Sequence, residues 1–322
     1  RSTLDRSSAA SDVYKRQEMG ILVHIQTYNI GVLFYKTDFD YKNYIKMIRK
    51  STLDSIGPLV LEAIEELFAK CKENMLDDGD FLICQQNGFI YDGKPVIGIG
   101  DGLDWIQQLS SIICDGIGVC TDDDEYFEKV KDIEFNGATE VEKTTNDELN
   151  RYRKIWENQF FLRLMTQLAH LLNGEHYDWS LDVNSETRDG KKKYNYITAL
   201  IEKFKKAPKF YSLIKEVYSN KIRNSEAHTQ CVFVQDGFLL KNIKEQDGLQ
   251  SALLFEQWER IFVILYLILI YIRRYLNEMR SQYLEFYHEY GAKGVPILAP
   301  FNGSWEERLV FPAESGEIWR FG

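Results

Sequence analysis

The chain has 322 residues, a formal net charge of −10 and 44% hydrophobic side chains. This length suits one large domain or two ordinary ones, and the apolar content is that of a globular protein with a sizeable core. The acidic balance excludes a general nucleic-acid binder, because phosphate contacts need clustered lysine and arginine. Any contact with a nucleic acid must therefore be local.

The first seventeen residues, RSTLDRSSAASDVYKRQ, have an unusual origin. Asp12 to Gln17 can be encoded by the mosaic-end adapter of transposase-based library preparation. We therefore expect residues 1–17 to be a translated sequencing-adapter and assembly artefact of shotgun or metagenomic origin, and we exclude them from the fold prediction. Without their four basic and two acidic residues, the net charge becomes −12.

Two features bear on the cellular compartment. The cysteines show no CxxC pair and no histidine at ligand spacing, which favours free thiols in a reducing cytoplasm and predicts no metal and no cofactor. The longest apolar run, Ile261–Ile272, is shorter than the ~20 residues that span a bilayer, so we expect a buried helix and no membrane partner. The cysteines are Cys71, Cys84, Cys114, Cys120 and Cys231.

Residues 18–120 have the pattern of a mixed α/β region, for which we expect a sensor or regulatory role. β-Branched and aromatic residues predict strands, and an Asn-Gly pair between apolar runs predicts a two-residue hairpin. We predict, in chain order, two strands within 19–36, a helix over 41–75 broken at Gly57-Pro58, a hairpin turning at Asn87-Gly88, and a short helix over 103–113.

An acidic segment separates this region from the rest of the chain. Residues 121–148 hold eleven acidic side chains against three lysines, which predicts a solvated connector, placed at 121–144. Residues 145–290 are predicted to be helical, and 291–322 a C-terminal extension. The predicted elements are a long helix ending at Asn173-Gly174, helices over 194–206 and 208–220, a hairpin at Asp236-Gly237, and a closing helix over 251–290.

The segment KIRNSEAHTQ, residues 221–230, places Arg223, Asn224 and His228 within six positions. This R-N-x-x-x-H pattern is predicted to lie where a helix gives way to the hairpin, so both cationic groups could face one cleft. We expect the Arg223 and His228 side chains to lie within about 10 Å of each other, because one phosphate must reach both. The alternative is structural: an arginine that neutralises a helix C-terminus and a histidine that caps a carbonyl.

On this motif, the segment from about 145 to 290 resembles a HEPN (higher eukaryotes and prokaryotes nucleotide-binding) domain. The resemblance implies an α+β protein whose C-terminal part, residues 145–290, is an all-α HEPN-like helical bundle with a small β-hairpin, preceded by the mixed α/β region. It also implies a metal-independent endoribonuclease of phage defence, abortive infection or toxin-like function, acting as a homodimer on RNA. Arg223, Asn224 and His228 would be its catalytic residues, with Glu157 or Asn158 a possible helper.

The chemistry suits these residue types. RNA cleavage without a metal needs a proton taken from the 2′-OH or given to the departing 5′-oxygen, and histidine does either near neutral pH. An arginine fork stabilises the phosphorane charge without deprotonating. Asn224 would orient a neighbouring group. One motif supplies only half of the acid–base couple, which dimerisation would complete.

Local charge agrees with an RNA approach. Between Arg188 and Arg223 the chain carries eleven lysines or arginines against three acids, and we expect this basic stretch to border the cleft. Two alternatives stay open: a non-catalytic HEPN-like nucleotide- or RNA-binding or scaffold module, and an unrelated helical enzyme with chemistry in the N-terminal region.

Other polar groupings are interpreted as structural. Arg163 and His170 are assigned to packing and solvation, and His24 to a strand. GEHYDW, which contains His176 and Asp178, is predicted to be an ordinary loop between helices, and GIGDG a turn without the rest of a phosphate loop.

Overall fold

The computed structural model describes residues 48–85, 119–120, 140–181, 183, 190–228, 230–234, 236–241, 252–289, 293–301, 303–312 and 319–322. These residues belong to one compact unit, 45–322. They form an α+β fold, as predicted, in which helices accompany two antiparallel three-stranded sheets and one parallel pair of short strands. The predicted strands within 19–36, the Asn87-Gly88 turn, the helix over 103–113, GIGDG and His24 lie outside the described residues.

Helices make up most of the described residues. They are α1 (Lys50–Asn74), α2 (Asp78–Gln85), α3 (Glu140–Glu157), α4 (Gln159–Asn173), α5 (Gly190–Glu202), a 3-10 turn (Lys203–Lys206), α6 (Pro208–Val217), α7 (Asn220–Ala227) and α8 (Phe255–Glu289).

The strands form three separate groups. They are β1 (Ile48–Arg49), β2 (Val119–Cys120), β3 (Cys231–Val234), β4 (Gly237–Leu240), β5 (Ala252–Leu254), β6 (Val295–Phe301), β7 (Ser304–Pro312) and β8 (Trp319–Phe321). β1 pairs with β2 in parallel, and the sheets run β3-β4-β5 and β6-β7-β8. In the first sheet Val232 lies opposite Leu239, and in the second Ile297 lies opposite Arg308.

Helix α1 lies at the centre of the packing, although it comes from the predicted N-terminal region. It packs against α4, α6 and α8. Its buried face places Phe68 against Tyr275 of α8, with ring centroids 4.9 Å apart. The all-α HEPN-like helical bundle with a small β-hairpin, predicted for residues 145–290, does not fit this packing, because a helix from outside that segment fills the core.

The predicted break at Gly57-Pro58 is wrong, since α1 runs through Pro58. A proline inside a helix removes one hydrogen bond and crowds the carbonyl four residues earlier. Here Pro58 and Asp54 both face solvent, while Ile56, Gly57 and Val60 are buried. Burial of that apolar face outweighs the local cost, since most helical stability in proteins comes from tertiary packing.

Two other element predictions are wrong. Residues 81–85 of FLICQQNGFIY were predicted as a strand but lie in α2, with Phe81 to Cys84 all buried. An element that is buried on all sides has a continuous run of apolar residues. Such a run does not distinguish a strand from a buried helix. The long helix predicted to end at Gly174 is interrupted at Asn158, whose side chain accepts a hydrogen bond from the Phe161 amide and so starts α4.

Several boundaries are confirmed. α4 ends at Asn173 and is capped by Gly174, which has a left-handed φ of 78°. The β3–β4 hairpin turns between Val234 and Gly237, and α8 holds the apolar run Ile261–Ile272, which is largely buried. Among the helices of the described residues, none combines the length and apolar character needed to cross a membrane.

The predicted connector becomes helical at its end. α3 begins at Glu140, within residues 121–144, and Thr145 and Glu148 are buried. Glu148 Oε2 accepts a hydrogen bond of 2.7 Å from the Trp258 indole of α8, whereas Glu148 Oε1 has no partner among the described residues. Burial raises the pKa of Glu148 to about 8, and the charge of Glu259 adds to the rise, which the Trp258 hydrogen bond opposes.

We expect Glu148→Gln to stabilise the protein at alkaline pH. The folded protein keeps a proton on Glu148 that the unfolded chain releases near pH 4.5, so stability falls as pH rises towards 8, by about 1.4 kcal/mol per pH unit. Glutamine stays neutral and still offers an oxygen to Trp258. Urea unfolding at pH 5 and pH 8 measures this. The wild type should lose more stability than the variant between the two values, and equal losses would contradict a protonated Glu148.

Candidate functional site

The R-N-x-x-x-H motif occupies α7 and the residue that ends it. Ser219 caps the helix, since its hydroxyl accepts a hydrogen bond of 3.3 Å from the Ile222 amide. His228 is the C-terminal cap, and its amide donates to the Asn224 carbonyl over 3.1 Å. β3 begins three residues later. The motif comes directly before the hairpin, as predicted, but Arg223 and Asn224 lie inside a further helix, and only His228 stands at its end.

Arg223 is buried, with 5% of its surface exposed. Its Nη2 donates to Asn220 Oδ1 over 3.2 Å and to Asn224 Oδ1 over 3.3 Å. Its Nε and Nη1 are buried and have no acceptor among the described residues. The expectation that this guanidinium faces an open cleft is therefore wrong. The reason is that Arg223 faces α3, with which α7 is in contact. The Arg223 charge acts on Tyr152 of α3 and opposes the rise in its pKa.

His228 and Asn224 lie nearer the solvent. His228 is exposed, and Asn224 is half-buried beneath the hydrogen bond from Arg223. One short helix thus carries a surface imidazole and an interior guanidinium. The fold brings Asn224 to Arg223, and it buries Arg223 while His228 stays exposed. The expected separation of about 10 Å between Arg223 and His228 stays a prediction.

Helix α3 holds α7 in place through Tyr152. The Tyr152 hydroxyl donates to the Val217 carbonyl and accepts from the Ser219 amide, both over 2.8 Å, so it fixes the turn that starts α7. Burial raises the pKa of Tyr152, and the hydrogen bond at Ser219 and the Arg223 charge oppose the rise. In the sequence Tyr152 counted only as one apolar position of a helix, and its hydroxyl gave no separate signal.

A second link from α3 involves the glutamate inside the motif. Arg153 forms an ion pair with Glu226, one residue before the end of α7. Arg153 also lies 4.0 Å from Glu157 on its own helix. The sequence did not reveal this role of Arg153, because the pairing depends on how α3 and α7 pack. The pair fixes the end of α7 that carries His228.

The possible helper residues have other partners. Asn158 starts α4 through its hydrogen bond to Phe161, and Glu157 lies beside Arg153. Both are half-buried. Neither is seen in contact with Arg223 or His228 in the described part of the chain. Asn158 therefore has a structural role as a helix cap, and any helper role for Glu157 stays a prediction.

Part of the basic stretch lies away from His228. Lys206 reaches the Asn173 carbonyl and Lys203 the His170 ring, both over 3.4 Å, at the C-terminal end of α4. The other end of α4 follows Trp156, whose ring lies 4.8 Å from that of Tyr218, just before α7. Since α4 has fifteen residues, the two ends are about 22 Å apart.

Two further lysines of this stretch have acidic partners. Lys209 pairs with Glu62 of α1, and Lys205 with Glu202 over 2.6 Å. For these lysines the expectation of a basic border around His228 is wrong. They lie exposed along the 3-10 turn and α6, where charge solvates the surface.

Arg163 and His170 do not assemble with the motif either. Burial lowers the pKa of His170 and the Lys203 charge lowers it further, while Glu175, 3.6 Å away, opposes the shift. Arg163 is half-buried beside Tyr177. Burial raises the pKa of Tyr177, and the charge of Arg163 opposes that rise. These contacts fit the interpretation of Arg163 and His170 as residues of packing and solvation.

Thiols and metal ligands give no further site in the described part of the chain. Cys71 and Cys84 are buried free thiols, and burial raises the pKa of both. Cys231 is half-buried, and burial raises its pKa as well. A raised pKa disfavours the reactive thiolate. No group of three histidine, cysteine or carboxylate side chains among the described residues could hold a metal ion.

Comparison with known proteins adds nothing to the family resemblance, which rests on the R-N-x-x-x-H motif. The chain matches no protein-family model, no curated protein and no solved structure.

Proposed function

We propose that the α7 segment, residues 220–228, is the active site of a metal-independent endoribonuclease of the HEPN type, a phage-defence or toxin-like effector. His228 would transfer the proton, and Arg223 would bind the reacting phosphate. The observation that carries the proposal is the Arg223 guanidinium, whose buried Nε and Nη1 have no acceptors among the described residues, on the same helix that ends at an exposed histidine.

The cost of those N–H groups supports an anionic ligand. A buried donor without an acceptor costs about 1–3 kcal/mol, and a charged donor costs more. A leucine or methionine would fill the same space without this cost. An acceptor that comes from outside the described residues would explain an arginine at this position, and a phosphate matches the guanidinium fork.

Access requires a local movement. The guanidinium is 5% exposed, and Nη2 is engaged by Asn220 and Asn224. Both asparagines lie half-buried on a helix of eight residues, so a phosphate would have to displace these contacts to reach Nε and Nη1. His228 needs no such movement. In this proposal RNA binding precedes the approach of Arg223 to the phosphate.

A second copy of the chain would supply the missing acid–base partner. The outer face of the β3-β4-β5 sheet follows the motif directly and exposes three apolar side chains: Val232 (44%), Val234 (38%) and Leu254 (46%). Association through this face would bring two copies of His228 towards one RNA strand. One imidazole would take the proton from the 2′-OH, and the other would protonate the 5′-oxygen.

The burial of Arg223 also favours a second candidate, a non-catalytic module that binds RNA or a nucleotide or serves as a scaffold. If Arg223 serves only to hold Asn220 and Asn224 in place, the motif stabilises α7 and no phosphate reaches the guanidinium. His228 would then be a surface residue without a catalytic role.

We expect the purified protein to cut single-stranded RNA in the presence of EDTA and to leave 2′,3′-cyclic phosphate or 3′-phosphate ends. These ends follow because the 2′-OH is the nucleophile. Matched DNA, and RNA methylated at every 2′-oxygen, lack that nucleophile and should stay intact. Cleavage that depends on added Mg²⁺ would place the chemistry elsewhere in the chain. A folded protein that binds RNA without cutting it would favour the second candidate.

A further inference from the structure

A histidine–aspartate pair lies away from the α7 segment, in the loop that follows α4. His176 Nδ1 is 2.8 Å from Asp80 Oδ2 of α2. The Asp80 side chain is 1% exposed, whereas that of His176 is 40% exposed. The ring therefore turns one nitrogen to a buried carboxylate, and the described residues offer no partner for the other, Nε2. This loop contains GEHYDW, which the sequence marked only as a connection between helices.

The loop around His176 is held by several contacts. Asp80 Oδ1 accepts a hydrogen bond of 3.3 Å from the Tyr177 amide. The buried Gln167 side chain donates to the Asp178 carbonyl over 2.8 Å and accepts from the Asp178 amide over 2.9 Å. The Trp179 indole donates to the Leu298 carbonyl of β6 over 3.2 Å. These contacts to three elements fix the backbone on one side of the imidazole, so its direction is set by the fold.

The burial of the Asp80 carboxylate costs free energy that a carboxylate exposed to solvent would not lose. Burial raises the pKa of Asp80, and the hydrogen bonds from His176 and Tyr177 oppose that rise. α2 also approaches β6 closely, since a Cβ on Gly79 would lie 2.5 Å from the Pro296 carbonyl oxygen. A carboxylate kept beneath a partly exposed histidine at this junction fixes the Nδ1–H tautomer and leaves the Nε2 lone pair for chemistry.

We propose that His176, oriented by Asp80, is a second proton-transfer centre that activates water towards uncharged acyl esters. Nε2 takes a proton from a water molecule as the oxygen attacks the ester carbonyl. The tetrahedral intermediate then expels the alcohol, which receives that proton from Nε2, and the carboxylic acid is released. No oxidant, metal or further reactant is needed.

The surrounding charge sets the substrate class. Asp77 acts on Asp80 besides His176, and Glu175 and Asp178 lie on either side of His176 and Tyr177 in the loop, while the cation Arg163 lies beside Tyr177. This acidic setting disfavours phosphodiesters and other anions. Leu76 lies four residues before Asp80 and is exposed, and Trp179 lies three residues after His176 and is half-buried. Both add apolar surface close in sequence to the pair. The centre is also separate from the α7 segment, because the two lie at opposite ends of α4.

The test uses p-nitrophenyl acetate as the uncharged ester and the full chain as the catalyst. We expect His176→Ala to remove most of the protein-dependent release of p-nitrophenolate at pH 7, and Asp80→Asn to lower it at least 10-fold. His288→Ala serves as the control, since His288 is exposed on α8 and has no carboxylate partner among the described residues. The control should keep the wild-type rate.

Asp80→Asn also has to be separated from a folding defect. Carbethoxylation of His176, followed by mass spectrometry on the native protein, reports the nucleophilicity of Nε2 without an enzymatic assay. We expect Asp80→Asn to slow the modification of His176 and to leave that of His288 unchanged. An unchanged ester rate in His176→Ala would overturn the proposal. Equal modification rates at His176 in the wild type and in a folded Asp80→Asn would overturn the role of Asp80.

Discussion

Replacing His228 with alanine is expected to lower the rate of RNA cleavage by about 10²–10⁴-fold, the usual loss when a general acid or base is removed. The side chain is exposed at the end of α7, so its removal opens no cavity and changes stability by no more than about 0.5 kcal/mol. Single-turnover cleavage of a labelled RNA, together with urea unfolding, measures both effects. His288→Ala removes an exposed histidine from α8 and should cleave like the wild type.

Mixed subunits show whether two chains share the site. Arg223→Ala and His228→Ala proteins should each be inactive. The first homodimer lacks both guanidinium groups, and the second lacks both imidazoles. The heterodimer keeps one Arg223 and one His228, so it lacks the second imidazole of the two-histidine mechanism and should stay as slow as the His228→Ala homodimer. Recovery with equal amounts of the two variants would show instead that one His228 suffices, acting with the arginine of the other subunit. Light scattering must show a dimer in the same buffer. An active monomer would contradict the two-subunit mechanism and would require a second acid–base group within one chain.

The sequence predicted best those elements whose signals are local. The end of α4 at Gly174, the hairpin before Gly237 and the closing helix α8 depend on a turn residue or on a long apolar period, and all three are present. Predictions failed where packing decides. Pro58 stays in a helix because the opposite face of α1 is buried, and residues 81–85 are helical because every side of Phe81 to Cys84 is covered.

The same distinction applies to the candidate site. The motif predicted its place directly before the hairpin, which needs only neighbouring residues, although Arg223 and Asn224 lie inside α7 and not at its end. It could not predict that Arg223 turns inward, because that depends on the packing of α3 against α7. Nor could it reveal Arg153 or Tyr152, whose partners Glu226 and Ser219 lie more than sixty residues away. His176 and Asp80 are 96 positions apart and meet only in the folded chain.

Replacing Arg223 with methionine is expected to abolish cleavage and to raise the free energy of unfolding by about 1–3 kcal/mol. Methionine has a comparable length and is apolar, so it fills the space of the arginine stem without leaving Nε and Nη1 buried and without acceptors. The lost hydrogen bonds end on Asn220 and Asn224, which are half-buried and can bond to water. Urea unfolding and the RNA assay should therefore change in opposite directions.

Arg223→Lys separates charge from geometry in the same experiment. Lysine keeps a positive charge but lacks the planar fork, so it should rescue cleavage poorly. A folded Arg223→Met that still cleaves RNA would exclude Arg223 from catalysis. An Arg223→Met protein that loses more than about 1 kcal/mol of stability would show that the guanidinium anchors α7 and that its interior N–H groups already have acceptors in the folded chain. The phosphate argument rests on those N–H groups, so that result would leave the non-catalytic binding module as the better explanation of the motif.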